Sequence, residues 1–169
     1  KRDMRTRKKR WYVLEDEVTY SAEQLDKAVV AKDQIRKIIR TFKEKLFTEI
    51  FKDRRWVPKT LIYAKDDNHA DEIVKIVREE FNEGNDFAVK ITYKTEGDKD
   101  ALLRSFRNSP NPRIAVTVDM IATGTDVRPL ECIIFMRDVK SKIYFDQMKG
   151  RGTRIISPTD LEAVTPGAK

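Results

Sequence analysis

The spacing of apolar positions changes once along the chain, near Pro58. From residue 21 they recur in steps of three and four, at Leu25, Val29, Ile35, Ile38, Ile39, Phe42, Leu46 and Ile50, with charged residues between them. That is the step of a helix with one apolar stripe to bury, so residues 21–50 read as an amphipathic helical segment capped by Ser21. The offset between Val29 and Ile35 predicts two helices or a shift of phase. The run Arg54–Pro58 ends the segment, because proline has no amide hydrogen to donate and drives Val57 towards extended geometry.

Beyond Pro58, short continuous apolar runs alternate with amphipathic stretches. Strands are predicted over 60–64, 88–93, 113–118 and 131–136. A helix carrying Ile73, Val74, Ile76, Val77 and Phe81 is predicted between the first two, capped by Asp66 or Asp67 and closed by Gly84 or Asn85. Further helices are predicted over 99–108, with Leu102, Leu103 and Phe106 inward, and over 141–150, with Ile143, Phe145 and Met148 towards the sheet. Brief, uniformly apolar strands separated by helices predict an α/β fold, a parallel sheet with helices on both faces. The chain divides into a basic segment at 1–20, a helical appendage at 21–57 and an α/β lobe at 58–157. Residues 158–169, where Pro158 and Pro166 read as turn formers, form a tail or the start of a next segment.

Composition narrows the class. A length of 169 residues suits one packed core, and 40% apolar residues distinguish the chain from a disordered one. No run approaches the roughly 20 apolar residues of a membrane span, and no apolar stretch follows the amino-terminal charges as in a signal peptide, so no membrane role and a cytoplasmic location are expected. The net charge of +7 is concentrated: residues 1–10 hold seven basic side chains and one acid, leaving +1 for the other 159. That tract suits a nucleic-acid contact, a linker or a solvated face equally. Cys132 stands in an apolar run and reads as a small buried hydrophobe. His69, the single histidine, is expected on a helix surface, and without partners it makes no metal site.

In a parallel α/β sheet, chemistry collects in the loops that follow the strands. Three of these loops carry unusual residues. The first holds Lys65 to His69, the second Asp119 to Asp126, and the third Gln147 to Arg154. Arg151 and Arg154, three apart and flanked by Gly150 and Gly152, would share a helix face and could clamp a phosphate; a surface pair bonded to carboxylates is the competing reading. Gly124 and Asp126 could admit a nucleotide and bond a ribose hydroxyl, or form a plain turn. Lys65, Thr117 and Thr123 could contact nucleic-acid phosphates.

Taken together, Thr60–Asp67, Ile114–Asp126 and Gln147–Arg154 resemble helicase motifs IV, V and VI in order and spacing. The longer runs Lys59–Asp67, Asn111–Asp126, Phe135–Lys142 and Gln147–Arg154 resemble the motor (R) subunit of type I restriction enzymes, a likeness extending from about Leu25 to Arg154. The resemblance implies the second RecA-like lobe of a superfamily 2 helicase or translocase. It implies that Arg151 and Arg154 approach the ATP phosphates as arginine fingers, that Gln147 links to the nucleotide pocket or partner lobe, and that Gly124 and Asp126 face the ribose. Motif V departs from the common pattern, with Val118 directly before Asp119 where threonine is usual.

Neither a G-x-x-x-x-G-K-[ST] loop nor a Walker B acid occurs in this sequence. The resemblance therefore implies that ATP with Mg2+ is bound mainly by a first RecA-like lobe of the same parent chain, and that this lobe alone does not hydrolyse it. It implies duplex DNA and the methylation and specificity subunits of a type I complex as partners. A non-catalytic RecA-like binding module, or a lobe of another superfamily 2 helicase, is the alternative.

Overall fold

The computed structural model describes residues 32–119, 127–142, 145–147 and 156–168. Strands β1 (Thr60–Ala64), β2 (Ala88–Lys90), β3 (Ile114–Thr117) and β4 (Cys132–Met136) form one sheet in the order β2-β3-β1-β4, and every pairing is parallel. The expected RecA-like α/β architecture is therefore present. It places β1 between β3 and β4.

Alternation along the strands divides the core in two. Ile62, Ala64, Ile114, Val116 and Met136 join Ile73, Val74, Ile76 and Val77 of helix α2 (Asp67–Phe81) and Ile35 and Ile39 of helix α1 (Lys32–Lys45). Leu61, Tyr63, Val89 and Ala115 join Leu103 and Phe106 of helix α3 (Lys99–Asn108) on the other face. Successive side chains of a strand point to opposite faces, so an apolar residue at every position requires cover on both.

Several boundaries differ from the sequence pattern for local reasons. Helix α2 ends at Asn82, which takes the left-handed conformation (φ 55°), and not at Gly84 or Asn85; asparagine tolerates that region better than most residues. Strand β2 stops at Lys90, although Ile91 still donates its amide to the Val116 carbonyl at 2.9 Å. Past it, the Thr92 amide donates to Thr95 Oγ1 at 2.8 Å and the Thr95 amide to the Thr92 carbonyl at 3.2 Å, turning the chain away. Pro158 opens helix α4 (Pro158–Val164) and does not make a turn: Ser157 Oγ accepts the Asp160 amide at 3.1 Å, and proline at the first helical position loses nothing by lacking a donor. Cys132 is half-buried, a consequence of its place on the outer strand of the described sheet.

Helix α1 continues into a π-helical turn over Leu46–Ile50, and what precedes Lys32 lies outside the described residues. Its apolar stripe packs on α2, and a charged cluster flanks the contact. Glu80 Oε1 accepts Arg36 Nη1 at 2.8 Å, Glu80 Oε2 accepts Arg40 Nε at 3.1 Å, and Arg36 Nη2 donates to Glu79 at 2.6 Å. Hydrogen bonds from Arg40 and then Arg36 hold the Glu80 carboxyl below its ordinary value of 4.5. A carboxyl with a lowered folded value stabilises the fold above its ordinary value, and that stabilisation is lost as pH falls through the folded one. Glu80→Gln is expected to lower stability at pH 7 by a few tenths to about 1 kcal/mol, because both arginines are solvent-exposed and screened. Urea denaturation of both proteins from pH 7 downwards tests this: the difference shrinks below pH 4.5, and a difference independent of pH refutes the charge argument.

Candidate functional site

Parallel pairing gathers the carboxyl ends of β1, β3 and β4. Tyr63 lies opposite Thr117, and Ala64 opposite Met136. Lys65 after β1, Val118 and Asp119 after β3, and Arg137 and Asp138 after β4 therefore occupy one edge of the sheet. Arg137 ties two of these ends together by donating from Nη1 to the Val118 carbonyl at 3.1 Å.

The turn from β1 into α2 is closed by reciprocal hydrogen bonds. Asp66, extended at φ −149° and ψ 178°, accepts the His69 amide at 2.8 Å and caps the helix. His69 Nδ1 accepts the Lys65 amide at 3.0 Å. An accepting Nδ1 requires a neutral ring with its proton on Nε2. His69 is thus buried (3% exposed) and not a surface residue as its helical position suggested, because its ring folds back over the end of β1. The Lys65 backbone is thereby fixed while its side chain is exposed at the edge.

The end of β2 is tied to the same helix terminus. Lys90 Nζ donates to Asp67 at 3.0 Å and to Asp71 at 2.9 Å, and Thr92 Oγ1 donates to Asp67 Oδ1 at 2.6 Å. Thr92, then Lys90, hold the Asp67 carboxyl below its ordinary value. These acids are engaged in holding the edge together.

Of the residues singled out from the sequence, Lys65, Thr117 and Gln147 fall among those described. Thr117 is fully buried at the end of β3, and among the described residues its hydroxyl has no hydrogen-bond partner. Gln147 is exposed on helical residues 145–147, which rest on β4 through a Phe135–Phe145 ring contact of 5.2 Å. Thr123, Gly124, Asp126, Arg151 and Arg154 lie outside the described residues. His69 and Arg137 stand in runs the sequence singled out but were given no role there, and each had a positional signal: one stands three residues after a helix-capping aspartate, the other directly after an apolar strand.

The described residues include no helix long and apolar enough to cross a membrane and no group of three or more histidine, cysteine, aspartate or glutamate side chains suited to a metal. A cleft of about 440 Å³ lies at the opposite edge, lined by residues such as Arg107, Arg128 and Asp160.

The helicase conserved C-terminal domain family matches residues 42–156. The chain is 37% identical over 107 residues to the endonuclease subunit of the type I restriction enzyme EcoKI of Escherichia coli K12, covering 57% of this chain and 9% of that subunit. It is 28% identical over 149 residues to the endonuclease subunit of the type I enzyme EcoAI of Escherichia coli, covering 85% of this chain and 18% of the subunit. The chain thus spans less than a fifth of these relatives. Among solved structures, a fragment described as an HsdR subunit of a type I restriction enzyme from Vibrio vulnificus YJ016 superposes with a TM-score of 0.66 at 22% identity, covering 87% of this chain and 28% of that one, which supports the fold. The chain belongs to the helicase conserved C-terminal domain family, in the form found in the R subunits of type I restriction enzymes.

Proposed function

We propose that this chain is the second motor lobe of an ATP-dependent DNA translocase, the R subunit of a cytoplasmic type I restriction endonuclease. The observation that carries the reading is the convergence of three strand ends on one edge, the edge from which motifs IV, V and VI all continue. Lys65, exposed on a backbone held by His69, is the first candidate for a contact with a DNA phosphate. Such contacts position a strand without reading its sequence. The buried Thr117 hydroxyl, partnerless among the described residues, and Thr123 in the loop beyond it are the further candidates for that backbone.

The nucleotide side of the lobe is assigned to Gln147, Gly124, Asp126, Arg151 and Arg154. The donor set fits a nucleotide's anions: an exposed amide at Gln147, two guanidiniums that stay charged at any working pH, and a carboxylate suited to ribose hydroxyls. It offers no cluster of carboxylates for Mg2+, so the metal belongs with the first lobe of the parent chain. ATP supplies the phosphoryl bond that is broken. Arg151 and Arg154 would stabilise the negative charge that develops there, Gln147 would link to the nucleotide pocket or the partner lobe, and Gly124 and Asp126 would face the ribose. Duplex DNA and the methylation and specificity subunits are the partners of the assembled enzyme.

The test compares this lobe with its parent. The full-length protein is expected to hydrolyse ATP with stimulation by duplex DNA, while residues 1–169 alone show no turnover above background under the same conditions. ATP hydrolysis by the isolated lobe contradicts the assignment, and DNA-independent hydrolysis by the parent contradicts the translocase.

A further inference from the structure

The junction between β1 and α2 is held by a bond that belongs to neither element. The β1–β4 ladder reaches Ala64, opposite Met136, and α2 begins at Asp67 behind its cap Asp66. Lys65 stands between them, beyond the strand and outside the helix. A loop amide in such a place can be left to water. Here it donates to Nδ1 of the buried His69 at 3.0 Å, while the His69 amide returns to Asp66 Oδ1 at 2.8 Å.

Only the second of these bonds caps the helix. In a capping box the third helical residue returns a bond to the amide of the cap residue itself. His69 is the third helical residue, yet its acceptor reaches one residue further out, to Lys65. That amide is not among the donors that the first turn of α2 leaves unmet, so the bond fixes where the chain leaves the sheet and adds nothing to the cap. Packing does not account for the imidazole either. Ile73, one turn further on, is a core residue, so an apolar side chain at position 69 would pack there without the cost of burying a polar ring.

We propose that His69 is a positioning residue for DNA: its Nδ1, by holding the Lys65 amide, orders in advance the turn from which Lys65 meets a backbone phosphate. The inference rests on the motor-lobe reading above, in which Lys65 is a DNA contact. Lysine is a point charge on a flexible four-carbon stem, so the place of its ammonium depends on how well the backbone beneath it is held. Ordering a contact segment during binding costs affinity, and a segment ordered beforehand avoids part of that cost. Loss of the bond frees the turn. The effect then appears in affinity for DNA and not in the chemistry on ATP.

The experiment uses the full-length parent and a fluorescent DNA duplex, and compares His69→Asn, His69→Gln, Lys65→Ala and the double variant of Lys65→Ala with His69→Gln. Asparagine puts Oδ1 where Nδ1 stood, two bonds from Cβ, whereas glutamine carries its oxygen one carbon further and misses the amide. Both lose the ring's packing, so the two are compared with each other. His69→Gln is expected to bind duplex about 2- to 10-fold more weakly than His69→Asn, the net worth of one hydrogen bond, with the same kcat for ATP at saturating DNA. Lys65→Ala is expected to weaken binding and to flatten the dependence of log affinity on log salt by about 1. Adding His69→Gln to it then removes little more. Equal affinities of the two amide variants, or a full His69→Gln effect in the absence of the Lys65 side chain, overturn the inference and leave the motor-lobe reading intact. Lys65→Ala with the parent's affinity and salt dependence removes Lys65 from the DNA contact, and the inference falls with it.

Discussion

Arg151→Ala and Arg154→Ala variants of the full-length parent are expected to turn over ATP about 10² to 10³ times more slowly than the unaltered protein, the usual cost of losing one donor aimed at developing charge. ATP affinity is expected to change far less. The distinction follows from what the guanidiniums would do: an interaction made mainly in the transition state lowers kcat and kcat/KM together, while one made equally in the ground state raises KM. Arg→Lys at either position restores little, since an ammonium keeps the charge but loses the planar fork that spans two phosphate oxygens. Single-turnover hydrolysis alongside equilibrium nucleotide binding separates the two cases. Unchanged turnover in both alanine variants rejects the arginine-finger role, and a loss confined to binding reassigns the pair to holding the substrate.

How much of this was legible in the sequence depended on whether local chemistry or tertiary contact decided each residue. Strand β1 and helix α3 occupy the expected spans because an apolar run bounded by polar residues, and a 3.6-residue stripe opened by Asp98, are locally sufficient signals. Helix α2 stops earlier than its glycine suggested because Asn82 adopts the left-handed conformation first. Strand β2 is shortened by Thr92, whose hydroxyl engages Asp67 of a helix 25 residues earlier, and no periodicity reports that. The burial of His69 is of the same kind, arising from a bond to the backbone of Lys65 across a turn. For the site, the sequence supplied residue types and order, and the parallel registers supplied the convergence of Lys65, Val118 and Arg137 on one edge. The motif order had implied that convergence without giving the Arg137 bond that fastens it.

The largest effect on stability is expected at the other end of the strands, where two buried cations are met by carbonyls and hydroxyls in place of carboxylate hydrogen bonds. Arg113, 1% exposed just before β3, donates from Nε to the Val57 carbonyl at 2.6 Å and from Nη1 to the Pro110 carbonyl at 2.8 Å and the Val164 carbonyl; Nη2 donates to Thr165 Oγ1 at 2.7 Å. One side chain thus joins the entry to β1, the loop before β3 and the end of α4. Beside it, Lys59 Nζ donates to the carbonyls of Ser109, Pro110 and Pro112 at 2.6, 3.0 and 2.5 Å. Burial, then the charge of Arg113, bring Lys59 down to about 7, and burial brings Arg113 down to about 10, still charged at neutral pH. Arg113→Ala leaves the buried Val164 carbonyl and Thr165 Oγ1 without this donor and takes it from the half-buried Val57 carbonyl, while Pro110 keeps Lys59 Nζ; a buried acceptor left without a donor costs about 1–3 kcal/mol. Allowing for partial relaxation, a loss of about 3–5 kcal/mol is expected. Arg113→Lys recovers little of it, because three rotatable donors at one nitrogen cannot reach acceptors spread around a guanidinium. Arg104→Ala, which removes a solvent-exposed pair with Asp98, is expected to stay within about 0.5 kcal/mol. Urea denaturation of the three variants measures the ranking, and limited proteolysis reads out whether α4 is released, since its anchorage to the sheet passes through Arg113. An Arg113→Ala protein as stable as Arg104→Ala, with α4 still protected, means that the carbonyl contacts are made good by water and that the cation is dispensable.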